Sequence, residues 1–146
     1  MGFFQKLLQL FRKKEETQET EEREERKSFF LYIRETPKIL TYLRRERGIS
    51  RQKLELVLID DEERPAYQIG QIAEHLMKDL NVFYLMTGRP EAFEELSEGA
   101  MEEYGLLLVL LPKGGGPAPG NLTLDVSGWE KQLDIISAVS YNTLTI

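Results

Sequence analysis

Residues 54–86, LELVLIDDEERPAYQIGQIAEHLMKDLNVFYLM, carry the clearest pattern for the fold of this chain. Residues 54–59 are apolar except for Glu55 and predict a buried strand. Pro65 suits the first turn of a helix that runs to Leu80, with apolar residues recurring every three or four positions. Residues 82–86 predict a second strand. Strand, helix and strand in this order predict a βαβ unit with parallel strands and a right-handed crossover.

The same alternation continues towards the C-terminus. Pro90 opens a predicted helix that Gly105 closes, and residues 106–111, LLLVLL, have the continuous apolar character of a strand covered on both faces. A glycine- and proline-rich loop over residues 113–121 precedes a predicted strand (122–126), a short helix (129–138) and a last strand (141–146). We therefore expect a three-layer α/β fold, with a mainly parallel sheet of four to five strands and helices on both faces.

One helix is expected directly before this region. Thr36 and Pro37 are residue types favoured at the N-cap and first position of a helix, and Gly48 is favoured just after a helix end. Residues 37–47 therefore predict a helix. The preceding run SFFLYI, residues 28–33, fits a strand or a helix equally well, because six residues are too few for periodicity to decide.

Residues 1–14 predict an amphipathic helix. Phe3, Phe4, Leu7, Leu8 and Phe11 recur at spacings of one, three and four, which places them on one face. The basic residues of the segment are Lys6, Arg12, Lys13 and Lys14. So short a helix is marginal in water and needs a surface that receives its apolar face. An anionic membrane surface suits both its apolar and its basic side chains; the alternatives are a partner protein and the domain's own core.

A highly charged segment follows, EETQETEEREERK at residues 15–27, with no hydrophobic residue. It cannot bury apolar surface and is expected to be a solvated tether, although glutamate and arginine could also form a solvated helix. The predicted organisation is thus an amphipathic membrane-surface helix (1–14), a charged tether (15–27) and a single α/β domain (28–146).

Composition narrows the classes of function. The 146 residues suffice for one domain, and the absence of cysteine excludes disulfides, thiolate metal sites and thiol catalysis. A net charge of -6 disfavours nucleic acid as a partner. No apolar run approaches the roughly 20 residues needed to span a bilayer, and basic residues follow the first apolar residues instead of preceding them, unlike a secretory signal. We expect a cytoplasmic protein, peripheral on the inner membrane face.

Open parallel sheets bind ligands beyond the carboxyl ends of their strands. The residues there are Asp60, Asp61, Thr87, Gly88, Arg89, Lys113 and Gly114. They form a possible ligand crevice, or else are ordinary loop and capping residues. Residues 114–116 are glycines but lack the Gly-Lys-Ser/Thr ending of a phosphate loop, and His75, the one histidine, lies off the inward face of its helix. No catalytic residue, cofactor or metal is predicted, and an enzyme is disfavoured.

Two stretches resemble parts of known families. Residues 56–62, LVLIDDE, resemble the first strand of response-regulator receiver domains, which implies Asp60 and Asp61 as a metal-holding pair. The third strand ends in Leu110, Leu111 and Pro112, without the phosphoacceptor acid, so the resemblance implies a pseudo-receiver that docks partners. Residues 42–54, YLRRERGISRQKL, resemble the opening of helix-turn-helix repressors, but the strand-like LELVLID follows where a recognition helix should lie.

The order of parts is similar to that of the SepF type of bacterial cell-division anchor, which also has an amphipathic helix, an acidic linker and a small α/β domain. The likeness covers this order and no specific motif. It implies a non-enzymatic adaptor whose helix binds the membrane and whose domain docks a protein partner or self-associates. The alternative is a small-ligand or nucleotide-binding α/β domain that uses the strand ends.

Overall fold

The computed structural model describes residues 2–144, without the side chains of Phe11 and of residues 139–144. The chain divides into two compact units, Met1–Leu31 and Tyr32–Ile146. The elements are α1 Phe3–Glu46, β1 Glu55–Ile59, α2 Ala66–Leu76, β2 Val82–Met86, α3 Glu94–Tyr104, β3 Leu108–Leu111, β4 Leu122–Asp125 and α4 Trp129–Leu144.

The four described strands form one parallel sheet in the order β3-β2-β1-β4. Val57 of β1 is opposite Tyr84 of β2 and Thr123 of β4. Two successive crossovers of the same hand place α2 and α3 on one face. The Tyr32–Glu46 part of α1 and α4 form the other layer, where the rings of Tyr32 and Trp129 lie 6.0 Å apart. The predicted three-layer α/β fold is confirmed.

The core of the second unit lies around β1, one of the two inner strands of the sheet. Leu56, Val57 and Leu58 are fully buried, so both faces of this strand are covered by helices. The face that α2 turns to the sheet is the one its periodicity predicts, with Ile69 and Ile72 fully buried. Each such side chain contributes about 1.5–3 kcal/mol through removal from water.

The start of the helix predicted over residues 37–47 is wrong, because α1 continues through Pro37 from Phe3 to Glu46. Proline has no amide hydrogen for the carbonyl of Ile33. The buried hydroxyl of Thr36 donates to that carbonyl at 2.8 Å instead. The predicted end is confirmed: Gly48 has a φ of 66°, and the amide of Ile49 closes back on the Arg44 carbonyl at 3.0 Å.

The strand predicted over residues 141–146 is wrong as far as the described residues extend, since α4 continues to Leu144; residues 145–146 lie outside them. No glycine or proline follows Gly128, so nothing in the sequence stops the helix at residue 138. The third strand begins at Leu108 and not at 106, because the amide of Leu106 donates to the Ala100 carbonyl at 3.1 Å and caps α3.

Smaller boundary shifts affect the other predicted elements. The helix predicted to run to Leu80 gives way after Leu76 to a 3-10 turn, Met77–Asp79. Another 3-10 turn, Pro90–Phe93, precedes α3. The strand predicted to end at residue 126 ends at Asp125. Such shifts of one to four residues leave the order of the elements unchanged.

The loop from β3 to β4 is fastened to β1 at its far end. Gly120 has a φ of 104°, and an added Cβ would lie 2.8 Å from the Glu55 carbonyl oxygen. The side chain of Asn121 accepts from the amide of Glu55 at 2.8 Å and donates to the Lys53 carbonyl at 2.7 Å. Glycine at 120 therefore permits a close approach that aligns β4 with β1.

In the first unit, residues 3–31 form the N-terminal part of α1. Residues 15–27 are helical and exposed, with Thr17 donating to the Lys13 carbonyl at 2.8 Å and Arg23 lying 3.8 Å from Glu19. The solvated-helix alternative therefore describes this segment, and residues 28–33 are helical as well. Within the described part of the chain, no helix combines the length and apolar character needed to cross a membrane.

Candidate functional site at the carboxyl edge of the sheet

Asp60, the first residue after β1, is a buried carboxylate held by a bidentate ion pair. Its Oδ2 accepts from Thr87 Oγ1 and from Arg89 Nε, both at 2.8 Å, and its Oδ1 accepts from Arg89 Nη2 at 3.0 Å. The Asp60 side chain is 0% exposed. A buried charge is tolerated only with such partners, so the three residues form one structural unit across the ends of β1 and β2.

Arg89 also fastens the loop that follows β1. Its Nη2 donates to the carbonyl of Arg64 at 2.8 Å and to that of Asp61 at 3.2 Å. Its guanidinium carbon lies 5.8 Å from the centre of the Phe93 ring. The hydrogen bond to Asp60 raises the pKa of Arg89, with its partial burial acting in the opposite direction. The guanidinium is thus largely engaged by the chain's own acceptors.

Glu62 makes a second, exposed connection at the same edge. Its Oε1 accepts from the amide of Gly88 at 2.6 Å and lies 3.3 Å from Lys113 Nζ. Lys113 Nζ also donates to the Asp60 carbonyl at 2.8 Å. The Gly88 hydrogen bond and then the Lys113 hydrogen bond lower the pKa of Glu62. This group joins the ends of all three strands β1, β2 and β3.

We call these residues the carboxyl-edge cluster: Asp60, Glu62, Thr87, Gly88, Arg89 and Lys113. Five of the seven predicted crevice residues belong to it. Asp61 lies beside it and faces Arg64 at 3.7 Å, while Gly114 lies in the exposed loop after Lys113. Sequence reasoning did not select Glu62, since no spacing rule distinguishes it within the run DDEE.

Asp60 and Asp61, which the receiver resemblance implies as a metal-holding pair, each form an ion pair with an arginine. Asp60 faces Arg89, and Asp61 faces Arg64, so guanidinium groups neutralise both carboxylates. Among the residues that the structure describes, no three histidine or acidic side chains are grouped so that they could hold a metal ion.

Aromatic and amide side chains pack where the strand order reverses, between β1 and β4. The Arg64 guanidinium carbon lies 5.4 Å from the centre of the Trp129 ring. Tyr32 donates through its hydroxyl to Gln132 Oε1 at 2.7 Å, and burial raises the Tyr32 pKa. Open α/β sheets usually bind ligands at this position. In this protein, the side chains of Tyr32, Arg64, Trp129 and Gln132 pack against one another at this position.

The basic residues around the end of α1 do not lead into a recognition helix. After Gly48 a 3-10 turn, Arg51–Lys53, leads directly into β1. Arg44 donates to the Ile49 carbonyl at 2.8 Å, and Arg51 forms an ion pair with Asp79. This part of the chain therefore lacks the two-helix geometry of a helix-turn-helix reader.

The predicted membrane-binding residues lie on the helical N-terminal unit. Phe3 and Phe4 are 83% and 71% exposed, and Leu7 and Leu8 are exposed as well. The basic side chains Lys6, Arg12, Lys13 and Lys14 are all exposed, and Phe11 is described only in its backbone. Large apolar side chains and cations are thus available on one short helical segment.

No protein-family model, curated protein or solved structure matches this chain. The fold and the described surfaces define a small α/β domain that follows a helix with an exposed amphipathic beginning.

Proposed function

We propose that this chain is a non-enzymatic adaptor, cytoplasmic and peripheral on the inner membrane face, whose α/β domain docks a protein partner or self-associates. One observation carries the proposal: residues 3–14 are helical, expose Phe3, Phe4, Leu7 and Leu8, and contain four cations and no acid.

Physical magnitudes support a reversible attachment. Each large apolar side chain that enters the boundary of the acyl chains gains about 1.5–3 kcal/mol, and each cation gains about 1 kcal/mol at an anionic surface. Ordering of the segment and lost freedom of motion offset part of this gain. The remainder suits a peripheral protein that binds and leaves.

The carboxyl-edge cluster supports a non-enzymatic role. Both carboxylate oxygens of Asp60, the Thr87 hydroxyl, and Nε and Nη2 of Arg89 are used in bonds to one another and to loop carbonyls. A catalytic acid or base has to reach the proton of a substrate, whereas the Asp60 side chain is fully buried. The arrangement stabilises the strand ends.

A second candidate function, the binding of a small anion or nucleotide at this edge, is favoured by the partial exposure of Lys113 and Arg89. Such binding would raise the melting temperature of the wild type, and Lys113→Ala would reduce the shift. Equal melting temperatures with and without nucleotides would count against this candidate.

The test of the adaptor proposal is flotation of the full-length chain with vesicles of anionic phospholipid. Phe4→Ser with Leu8→Ser removes two exposed apolar side chains, and binding is expected to weaken by more than about a hundredfold. Lys6→Gln with Lys13→Gln is expected to weaken binding to anionic vesicles only, and added salt should have a similar effect.

Leu107→Ser is the matched control, because Leu107 is an exposed leucine of the α/β domain. It should float like the wild type. Equal flotation of the wild type and the Phe4→Ser/Leu8→Ser variant would refute the membrane anchor.

A further inference from the structure

A groove of about 780 Å³ lies between α2 and α3, on one face of the sheet. We call it the α2–α3 groove. Small residues of both helices line it, and two tyrosines, Tyr67 and Tyr104, stand exposed among its lining residues. All of the lining residues belong to the second unit. The groove is therefore a property of the α/β domain alone.

Two glycines keep the groove open. Gly70 lies inside α2 and Gly99 inside α3, and a Cβ added to either would meet no atom within 4 Å. Glycine inside a helix costs about 0.5–1 kcal/mol relative to alanine. Packing within the described domain does not require glycine at either position, because a larger side chain would have room. Missing side chains at these positions would allow the backbone of another helix to approach closely.

The charge of the groove is of one sign. Glu74, Glu95 and Glu103 line it, and none of the lining residues that the structure describes is basic. An apolar helix with basic residues would bring cations to these carboxylates and apolar side chains to the tyrosines and the glycine floor. An acidic or neutral helix would lack the first of these interactions.

The chain itself contains a segment of this chemistry. Residues 3–14 are helical, carry four cations and no acid, and expose phenylalanines and leucines. Twelve residues of helix are about 18 Å long, close to the roughly 16 Å of α2 or α3, which have 11 residues each. Length, polarity and charge of the segment therefore match the groove.

We propose that the α2–α3 groove binds residues 3–14 of a second copy of this chain. A segment that lies in a groove then cannot bind lipid at the same time, because both use the same apolar face. This inference specifies the self-association named in the adaptor proposal, but it does not rest on membrane attachment, since the segment can occupy the groove of a protein that never binds lipid.

The first test uses the full-length chain without lipid. Sedimentation velocity should show association that increases with protein concentration and weakens at high salt. In ¹⁵N NMR spectra, the amide signals of Gly70 and Gly99 should shift on dilution. A chain that stays monomeric, with unchanged glycine signals, would overturn the proposal and leave the groove to a basic helix of a different protein.

The second test fills the groove. Gly70→Leu with Gly99→Leu should weaken association at least about tenfold. Flotation with anionic vesicles should persist, which separates this inference from the membrane proposal. Gly115→Leu is the matched control, since it adds the same side chain on the β3–β4 loop. Association unaffected by the groove variant would refute the site.

A charge exchange keeps the test decisive even if the leucine variant folds poorly. Glu74→Lys with Glu95→Lys, and separately Lys6→Glu with Lys13→Glu, should each abolish association. A mixture of the two variants should associate again, because the unaltered segment of the first variant can bind the unaltered groove of the second, and the two reversed sets of charges are complementary as well. Failure of the mixture to recover would show that these charges do not meet.

Discussion

At the scale of single residues, Asp60 is held by several partners at once. Its carboxylate accepts three hydrogen bonds from Thr87 and Arg89, and its side chain is inaccessible to water. Removing one member of a buried ion pair leaves the other charge without compensation. Removing the Asp60 carboxylate would therefore destabilise the fold mainly by leaving the Arg89 charge unpaired. The Arg89 side chain is 24% exposed, so it can recover part of its hydration.

Asp60→Ala is expected to lower the free energy of unfolding by about 2–3 kcal/mol, measured by urea denaturation. Asp61→Ala is the neighbouring control. Asp61 lies 3.7 Å from Arg64, and its Oδ1 accepts one hydrogen bond, from the Glu63 amide at 3.1 Å, so its loss should cost only about 1 kcal/mol. An unchanged or increased stability of Asp60→Ala would mean that this carboxylate is kept for a ligand and not for the fold.

Glu62 gives the edge of the sheet a dependence on pH. The Gly88 amide and Lys113 lower its pKa from the ordinary value of 4.5. A carboxyl group with a lowered folded-state pKa stabilises the fold above its unfolded pKa and loses this effect as the pH falls through the folded value. Carboxyl ¹³C NMR titration should therefore give Glu62 a pKa below 4.5, with the Gly88 amide signal titrating in step.

Lys113→Gln checks the cause of this shift. It should raise the pKa of Glu62 part of the way towards its ordinary value, because the Gly88 hydrogen bond, the larger cause, remains. An unshifted Glu62 pKa in the wild type would contradict the geometry at this edge.

The position of these residues was predictable, but their pairing was not. The rule that parallel strands end at one edge places Asp60, Thr87 and Lys113 together from sequence alone. Whether a carboxylate there faces solvent or Arg89 depends on the path of the loop after β1. The Arg89 guanidinium fixes that loop by donating to the carbonyls of Asp61 and Arg64. These hydrogen bonds join residues 28 and 25 positions apart, a separation that local sequence patterns do not cover.

At the scale of elements, α1 shows how a local signal can have two structural meanings. Thr36 and Pro37 are typical of a helix start, yet here the threonine hydroxyl replaces the missing proline amide at the Ile33 carbonyl. Both arrangements use the same two residue types, so sequence could not distinguish them. The strands β1 and β2 were predictable, because their apolar runs are bounded by charged and proline-containing loops.

A double-mutant cycle tests this replacement. Thr36→Val should lower the free energy of unfolding by about 1–2 kcal/mol, since it leaves a buried carbonyl without a donor. In the Pro37→Ala background the alanine amide can donate to Ile33, and the cost of Thr36→Val should fall by about 1 kcal/mol. Thermal or urea unfolding of the four proteins gives the coupling. Equal costs in both backgrounds would rule out the hydroxyl as the substitute donor.

At the scale of the whole molecule, charge and apolar surface are unevenly distributed. The first unit begins with a basic, apolar segment and continues with a segment that has seven glutamates and no hydrophobic residue. The second unit holds the sheet and its core. A helix that buries no apolar face has little stability beyond that of an isolated peptide. We therefore expect the two units to differ widely in local stability.

Hydrogen exchange followed by mass spectrometry measures this difference. Amides of residues 15–27 should open with a free energy of about 0–1 kcal/mol, while those of β1 should open only on global unfolding. The measurement belongs at low protein concentration, where self-association is minimal. Comparable protection of the two regions would show that residues 15–27 are held by contacts beyond their own helix.

The sheet order also has a consequence for synthesis on the ribosome. The central strand β1 is flanked by β4, which is made last of the four, so one side of β1 stays unpaired until residues 122–125 emerge. The amphipathic beginning of the chain emerges much earlier. Its first encounter, with lipid or with the α2–α3 groove of a folded copy, can thus precede the folding of its own domain, and the choice between them can be made during translation.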